Sequence, residues 1–232
     1  TTDSVTVPAI AAAMVAIIAW GAFAAHRGLP ISKSHALVAG LAGAAIAGGG
    51  FGALLWAGWT KILIGMLLSV VAGFGIAFIL SKLVMMFAAS ASPRRAKTGF
   101  DAAHVFTAGT MAFAHGMNDG QKFIGIFTLV LVLGAQIPAF HIQWWVIVLC
   151  GLTMGLGTSL GGWRIIATIG KRMVNIKSWQ GFVATSAASS TIITASIFGI
   201  PLSTTHTITS AIAGASSSRR MSDVRWGVLG TV

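Results

Sequence analysis

Long uncharged apolar runs, each closed by a short polar or basic stretch, set the pattern of this chain. Residues 7–25 are apolar and Ala-rich, and His26-Arg27-Gly28-Leu29-Pro30 ends them. Residues 36–57 carry Gly40, Gly43 and Gly48-Gly49-Gly50, small residues that let helix backbones approach closely. Residues 62–87 are the cleanest lipid-type stretch, with Trp56 and Trp59 beside Lys61 as an interfacial belt. Residues 90–100, around Pro93-Arg94-Arg95-Ala96-Lys97, read as a cytoplasmic loop that divides the chain. Residues 101–137 are apolar but interrupted at His115-Gly116-Met117-Asn118-Asp119-Gly120-Gln121-Lys122. At about 1.5 Å per residue, an intact helix of that length would measure about 55 Å, against a hydrocarbon core of about 30 Å. Two spans, or one crossing unwound at 116–120, would both relieve the excess. Residues 141–163 form a further span. Residues 178–218 carry no charge yet are rich in Ser and Thr, which suits burial among helices or a watery cavity better than lipid.

Composition turns this pattern into a class. Apolar residues make up 56% of the 232 and charged residues 8%, with mean hydropathy +0.88. The chain therefore reads as an all-α, multi-pass integral protein of the cytoplasmic (inner) membrane, its backbone satisfied within helices in the lipid bilayer. Long uniform runs, rather than ten-residue alternating ones, exclude a barrel. The net charge of +11 would suggest nucleic acid on a soluble domain. Here the basic residues sit between apolar runs, so they mark cytoplasmic loops and no nucleic-acid partner is expected. The single cysteine, Cys150, excludes a disulfide framework. Residues 1–25 lack the features of a signal peptide, and both ends of the chain read as cut.

The basic clusters also set the topology. Arg94–Lys97 and the group Arg164, Lys171, Arg172, Lys177 fall on one side only if 101–137 crosses once, which favours the broken helix. Residues 164–177 then read as an amphipathic cytoplasmic segment. With Arg219, Arg220 and Arg225 also inside, 178–218 becomes a re-entrant hairpin with its tip at 199–206. The same logic makes 7–50 a hairpin opening to the outside, with its tip at 28–35. The expected organisation is thus a first-repeat part over 1–89, the loop 90–100, and a second-repeat part over 101–232. Oppositely inserted hairpins form an inverted repeat, the architecture of secondary transporters.

The tips themselves are duplicated. Gly28-Leu29-Pro30-Ile31-Ser32-Lys33-Ser34-His35 matches Gly199-Ile200-Pro201-Leu202-Ser203-Thr204-Thr205-His206, and Ala42-Gly43-Ala44 answers Ala213-Gly214-Ala215. Ser and Thr just before a helix cap it; the same geometry presents hydroxyls and amides to a tetrahedral oxyanion. Ser32, Ser34, Ser203, Thr204 and Thr205 are therefore candidate substrate ligands, and Lys33 adds positive charge. Asp119 is one of four acids and lies in a membrane-embedded break, where an ionisable group is costly and functional by default. With Asn118 and Gln121 it could ligate a coupling cation, or accept a hydrogen bond from a protonated oxyanion. The alternative is a structural Asp119–Lys122 pair at helical spacing. His35, His206 and His115 read as structural or relay groups. No His-x-x-x-His or Cys pair suggests a metal.

Ala114-His115-Gly116-Met117-Asn118-Asp119-Gly120-Gln121-Lys122 and Pro201-Leu202-Ser203-Thr204-Thr205-His206-Thr207-Ile208-Thr209 resemble the second-half motifs of the bacterial inorganic phosphate transporter (PiT) family. Gly28–His35 resembles its first-half hairpin motif, and Arg225-Trp226-Gly227-Val228 the segment after its second hairpin. The resemblance implies a secondary transporter, not an enzyme, commonly a homodimer. It would import inorganic phosphate with Na⁺ or H⁺, sometimes as a metal–phosphate complex, without a cofactor. It also implies that Asn118, Asp119, Ser203, Thr204, Thr205, Ser32 and Ser34 surround phosphate and the coupling ion.

Three departures stand out. The family's first half opens with its own Asn-Asp helix, absent here. Thr185 stands where the family often has Glu, and Lys33 where a small hydroxyl or acid is expected. The rival readings are a sulfate permease of the same family and an intramembrane hydrolase using Ser203 or Thr205 with His206 and Asp119.

Overall fold

The computed structural model describes residues 5–89, 92–167 and 176–229. They form helices without strands: α1 (Val7–Arg27), α2 (Lys33–Gly49), α3 (Trp56–Phe87), α4 (Pro93–Leu133), α5 (Trp144–Leu160), α6 (Trp163–Ala167), α7 (Ser178–Ile197), α8 (Thr204–Ser217) and α9 (Trp226–Leu229). By length and composition, α1 and α3 can cross a membrane, and α5 is a shorter apolar helix.

The core sits where α3 lies along α8 and α4 along α7. The cause is legible on α3, whose buried residues are Gly65, Ser69, Gly73, Ala77 and Ser81, one small residue on every fourth position. That spacing makes a smooth stripe on one helix face, and small residues let backbones meet where large ones cannot. A methyl group added at Gly65 would come within 2.0 Å of the Pro201 carbonyl oxygen, and one at Gly73 within 2.7 Å of that of Thr207. From the other side, one at Gly214 would come within 2.3 Å of the Phe74 carbonyl oxygen. The large apolar residues of α3, among them Leu63, Leu67, Val71 and Ile79, face outward. Val183, Ala184, Ala187, Ala188, Ala211, Ala213 and Ala215 complete a core of small side chains around Ala77.

Two expectations are corrected. First, residues 93–100 are not loop: Pro93 opens α4, and the first two turns run through the basic cluster. Proline suits a helix's first position, because its missing N–H would have no partner there. Lys97 and Asp101 then form an exposed ion pair at 2.8 Å. Residues 90 and 91 lie outside the described residues.

Second, α4 is not broken: it is continuous for 41 residues through 116–120. Glycine in a helix costs only about 1 kcal/mol relative to alanine, and the polar side chains pair along the helix instead of unwinding it. Of the amphipathic segment expected at 164–177, residues 168–175 lie outside the described residues. Arg164, in α6, donates to the His26 carbonyl at the end of α1.

Candidate functional site

The two duplicated tips fold by the same local rules. Gly28 ends α1 at φ 68° and Gly199 follows α7 at φ 64°, the left-handed region that glycine enters without strain. Three residues after each proline, Pro30 and Pro201, the chain turns back into a helix. Ser32 caps α2, its Oγ accepting from the His35 amide at 3.2 Å; Ser203 caps α8, its Oγ accepting from the His206 amide at 3.2 Å. Both are serine N-caps bonded to the third helical amide.

The tips also meet. Ser203 Oγ donates to Ser32 Oγ at 2.9 Å, and Thr205 Oγ1 donates to the Ile31 carbonyl at 3.3 Å. The His35 and His206 rings lie 4.8 Å apart. Two helix N-termini, each with the partial positive charge of its free amides, therefore converge on one point. Ser32 and Ser203 are buried, Thr204 is buried as the first residue of α8, and Ser34 and Thr205 are half-buried.

Helix α4 brings the acid. Asn118 and Asp119 are each 3% exposed. Ser34 Oγ donates to Asp119 Oδ1 at 3.5 Å, Asn118 Nδ2 donates to the same oxygen at 3.1 Å and to the Leu202 carbonyl at 3.4 Å. One turn earlier, His115 Nε2 lies 3.0 Å from Asp119 Oδ2. A single carboxylate thus contacts α2 and its own helix, and its neighbouring amide reaches the second tip.

Gln121 does not join them. It lies on the exposed side of α4, where its position between Gly120 and Lys122 turns it away from the buried face that carries Asn118 and Asp119. The unbroken helix also keeps the 116–120 amides in its own hydrogen bonds. Lys33 is exposed but lines a cavity of 620 Å³ together with His115, Asp119, Phe123, Cys150 and Thr153. A second cavity of 460 Å³ is lined by Ser32, His35 and His206. Thr185 bonds to Thr107 at 2.7 Å between their hydroxyls, joining α7 to α4.

Sequence reasoning left out four contributors. Lys122 Nζ bonds Asp119, Ser34 and the Leu202 carbonyl; its spacing from Asp119 was visible, its reach to both tips was not. The carbonyls of Ile31 and Leu202 carry no side-chain signature. Ser69 Oγ accepts from the Ser203 amide at 3.0 Å from within a lipid-type run, where only the fourth-residue spacing of small residues marks it.

The hydrolase constellation is only half present. Ser203 Oγ lies 2.7 Å from His206 Nδ1, but the acid that would orient the imidazole is bonded to His115 and Lys122 instead. Among the described residues no three His, Cys, Asp or Glu side chains cluster as metal ligands.

Comparison with known proteins gives this geometry its context. A model described as "Phosphate transporter family" matches residues 2–232. The chain is 38% identical over 219 residues to the "Probable low-affinity inorganic phosphate transporter" of Bacillus subtilis (strain 168), covering 94% of this chain and 66% of that protein. It is 37% identical over 232 residues to the protein of the same description from Rhizobium meliloti (strain 1021), covering 98% and 69%. The chain thus spans about two thirds of the length of these relatives, and 55% of that of the Mycobacterium tuberculosis (strain ATCC 25618 / H37Rv) one. A solved structure described as "The sodium-dependent phosphate transporter" matches with a TM-score of 0.84 at 20% identity, covering 97% of this chain and 73% of that one. At that identity the likeness speaks for the fold.

Proposed function

Since this chain belongs to the phosphate transporter family, a family of membrane transporters and not of enzymes, we propose that its protein imports inorganic phosphate across the cytoplasmic membrane by ion-coupled secondary transport. The observation that carries the reading is the meeting of the N-termini of α2 and α8, with their capping serines 2.9 Å apart, beside a buried acid. A tetrahedral oxyanion is bound by convergent hydroxyls and free helix-end amides, supplied by Ser32, Ser34, Ser203, Thr204 and Thr205. Lys33 adds charge from the cavity wall. Asn118 and Asp119 complete the cradle and serve the coupling ion, Na⁺ or H⁺; Gln121 has no part in this version.

Asp119 also argues for phosphate over sulfate. Phosphate near neutral pH retains a proton that a carboxylate can accept in a hydrogen bond; a sulfate dianion has none to give, and meets only repulsion. The α1–α2 and α7–α8 hairpins enter from opposite faces, and motion of one repeat against the other gives alternating access. The protein works as a homodimer, and phosphate accompanied by a divalent metal is a second form of the substrate.

The test is uptake of radiolabelled phosphate by the full-length protein in proteoliposomes, with Na⁺ and pH gradients imposed separately. Uptake should survive a tenfold excess of sulfate, and Asp119→Asn should lower it at least about tenfold, the size expected when a charged hydrogen-bond partner is removed. Uptake that sulfate abolishes, or that Asp119→Asn leaves intact, would sink the phosphate site.

A further inference from the structure

The phosphate reading leaves Lys122 without a task. Its Nζ donates to Ser34 Oγ at 2.5 Å, to the Leu202 carbonyl at 3.0 Å and to Asp119 Oδ1 at 3.3 Å. An ammonium has three N–H donors, and here each has an acceptor. The acceptors come from three parts of the fold: the first turn of α2, the turn before α8, and α4 itself. A hydroxyl, a main-chain carbonyl and a carboxylate are the ligand types that hard cations select.

An ordinary salt bridge along a helix does not use such a set. A lysine three residues after an aspartate can pair with it and leave its other donors in water. Lys122 instead spends two of its three donors on the opposing tips, and its side chain is only 19% exposed. The surrounding groups agree. Asn118 Nδ2 donates to the same Leu202 carbonyl and the same Asp119 oxygen, so both are aimed at this point rather than at solvent. His115 Nε2 meets the other carboxylate oxygen, Asp119 Oδ2, and Lys33 lines the cavity that Asp119 also borders.

We infer that the Lys122 ammonium is a tethered cation, filling an all-oxygen site that would otherwise take a dissociable monovalent cation such as Na⁺. The tips of α2 and α8 are thereby joined to α4 by a charge that cannot leave. The inference deepens the proposed function by placing Na⁺ outside the Asp119 Oδ1 site, and it rests on that function only for what the site serves.

The experiment is thermal stability of the full-length protein in detergent, in NaCl, KCl and choline chloride of equal ionic strength, because it reads the cation site without any transport. The unsubstituted protein should show no Na⁺-specific stabilisation that Asp119→Asn removes. Lys122→Ala should melt lower in choline and recover by about 5 °C with Na⁺, saturably, as ligand linkage requires. Lys122→Ala/Asp119→Asn should lose the Na⁺ response. Stabilisation of the unsubstituted protein by Na⁺ through Asp119, indifference of Lys122→Ala to Na⁺, or failure of that variant to fold in any of the salts overturns the inference. Phosphate uptake is scored separately. A protein with the expected Na⁺ pattern but no phosphate uptake keeps the tethered cation and loses the transport reading, and the reverse result does the opposite.

Discussion

The two hairpin tips share a sequence, a left-handed glycine and a serine cap, but not an environment. Leu37 is the buried residue of α2, whereas eleven residues of α8, from Thr204 to Ser217, are buried. The first helical position is an exposed Lys33 at one tip and a buried Thr204 at the other. Capping is decided within four residues and so came out alike twice. Burial is decided by what lies alongside: α8 has the small-residue stripe of α3 against it, while α2 packs chiefly on α1. A repeated motif therefore carries its local shape with it, but not its energetics.

The equivalent glycines Gly43 and Gly214 offer the strongest test of that contrast. A methyl group at Gly214 would meet the Phe74 carbonyl at 2.3 Å, whereas one at Gly43 would meet nothing within 4 Å. Gly214→Ala should destabilise by about 1–3 kcal/mol or more through overpacking. Gly43→Ala should be neutral or stabilise by up to about 1 kcal/mol, because alanine is the better helix former. Melting temperatures of the two variants decide it, and equal losses would mean that the hairpins are packed alike.

A smaller effect separates the caps. Ser32→Ala should cost about 1 kcal/mol, the usual worth of a serine N-cap. Ser203→Ala should cost about twice that, since its hydroxyl also touches Ser32 Oγ and His206 Nδ1 in a site 2% exposed, where lost partners are expensive. Urea or thermal denaturation in detergent would rank them. Smallest is Lys33→Thr, which makes the first tip resemble the second. It should weaken phosphate binding about threefold at low ionic strength and less in high salt, because an exposed charge is screened. A titration at two salt concentrations measures it.

How much could be read from sequence follows the same division. The tips were legible because glycine, proline and serine act over a few bonds. That both would touch each other, and that Asp119 would lie against them, follows from duplication and from the cost of burying an acid. The interior of α4 was misread because a polar cluster with two glycines looks like a break. His115, Asp119 and Lys122 are spaced at i, i+4 and i+7, however, so they satisfy one another on an intact helix face. Gln121 carries a suitable amide and neighbours the cluster in sequence, but one residue along a helix is a turn of about 100° away from its neighbour. The carbonyls of Ile31 and Leu202 were not legible at all, since any residue supplies one.

The stripe on α3 has one further consequence. A face of glycine, alanine and serine has no bulky knobs to interlock with α8, so its register rests on close approaches that admit no side chain at Gly65, Gly73 and Gly214. Two hydroxyls add to that constraint. Ser69 receives the Ser203 amide at one end of α8, and Ser81 donates to the Ala215 carbonyl, 3.5 Å away, at the other. The serines are twelve positions apart on their helix and the partners twelve apart on theirs, so α3 works as a ruler with two marks: a slip of one residue forfeits both at once, and the second tip is held at one height.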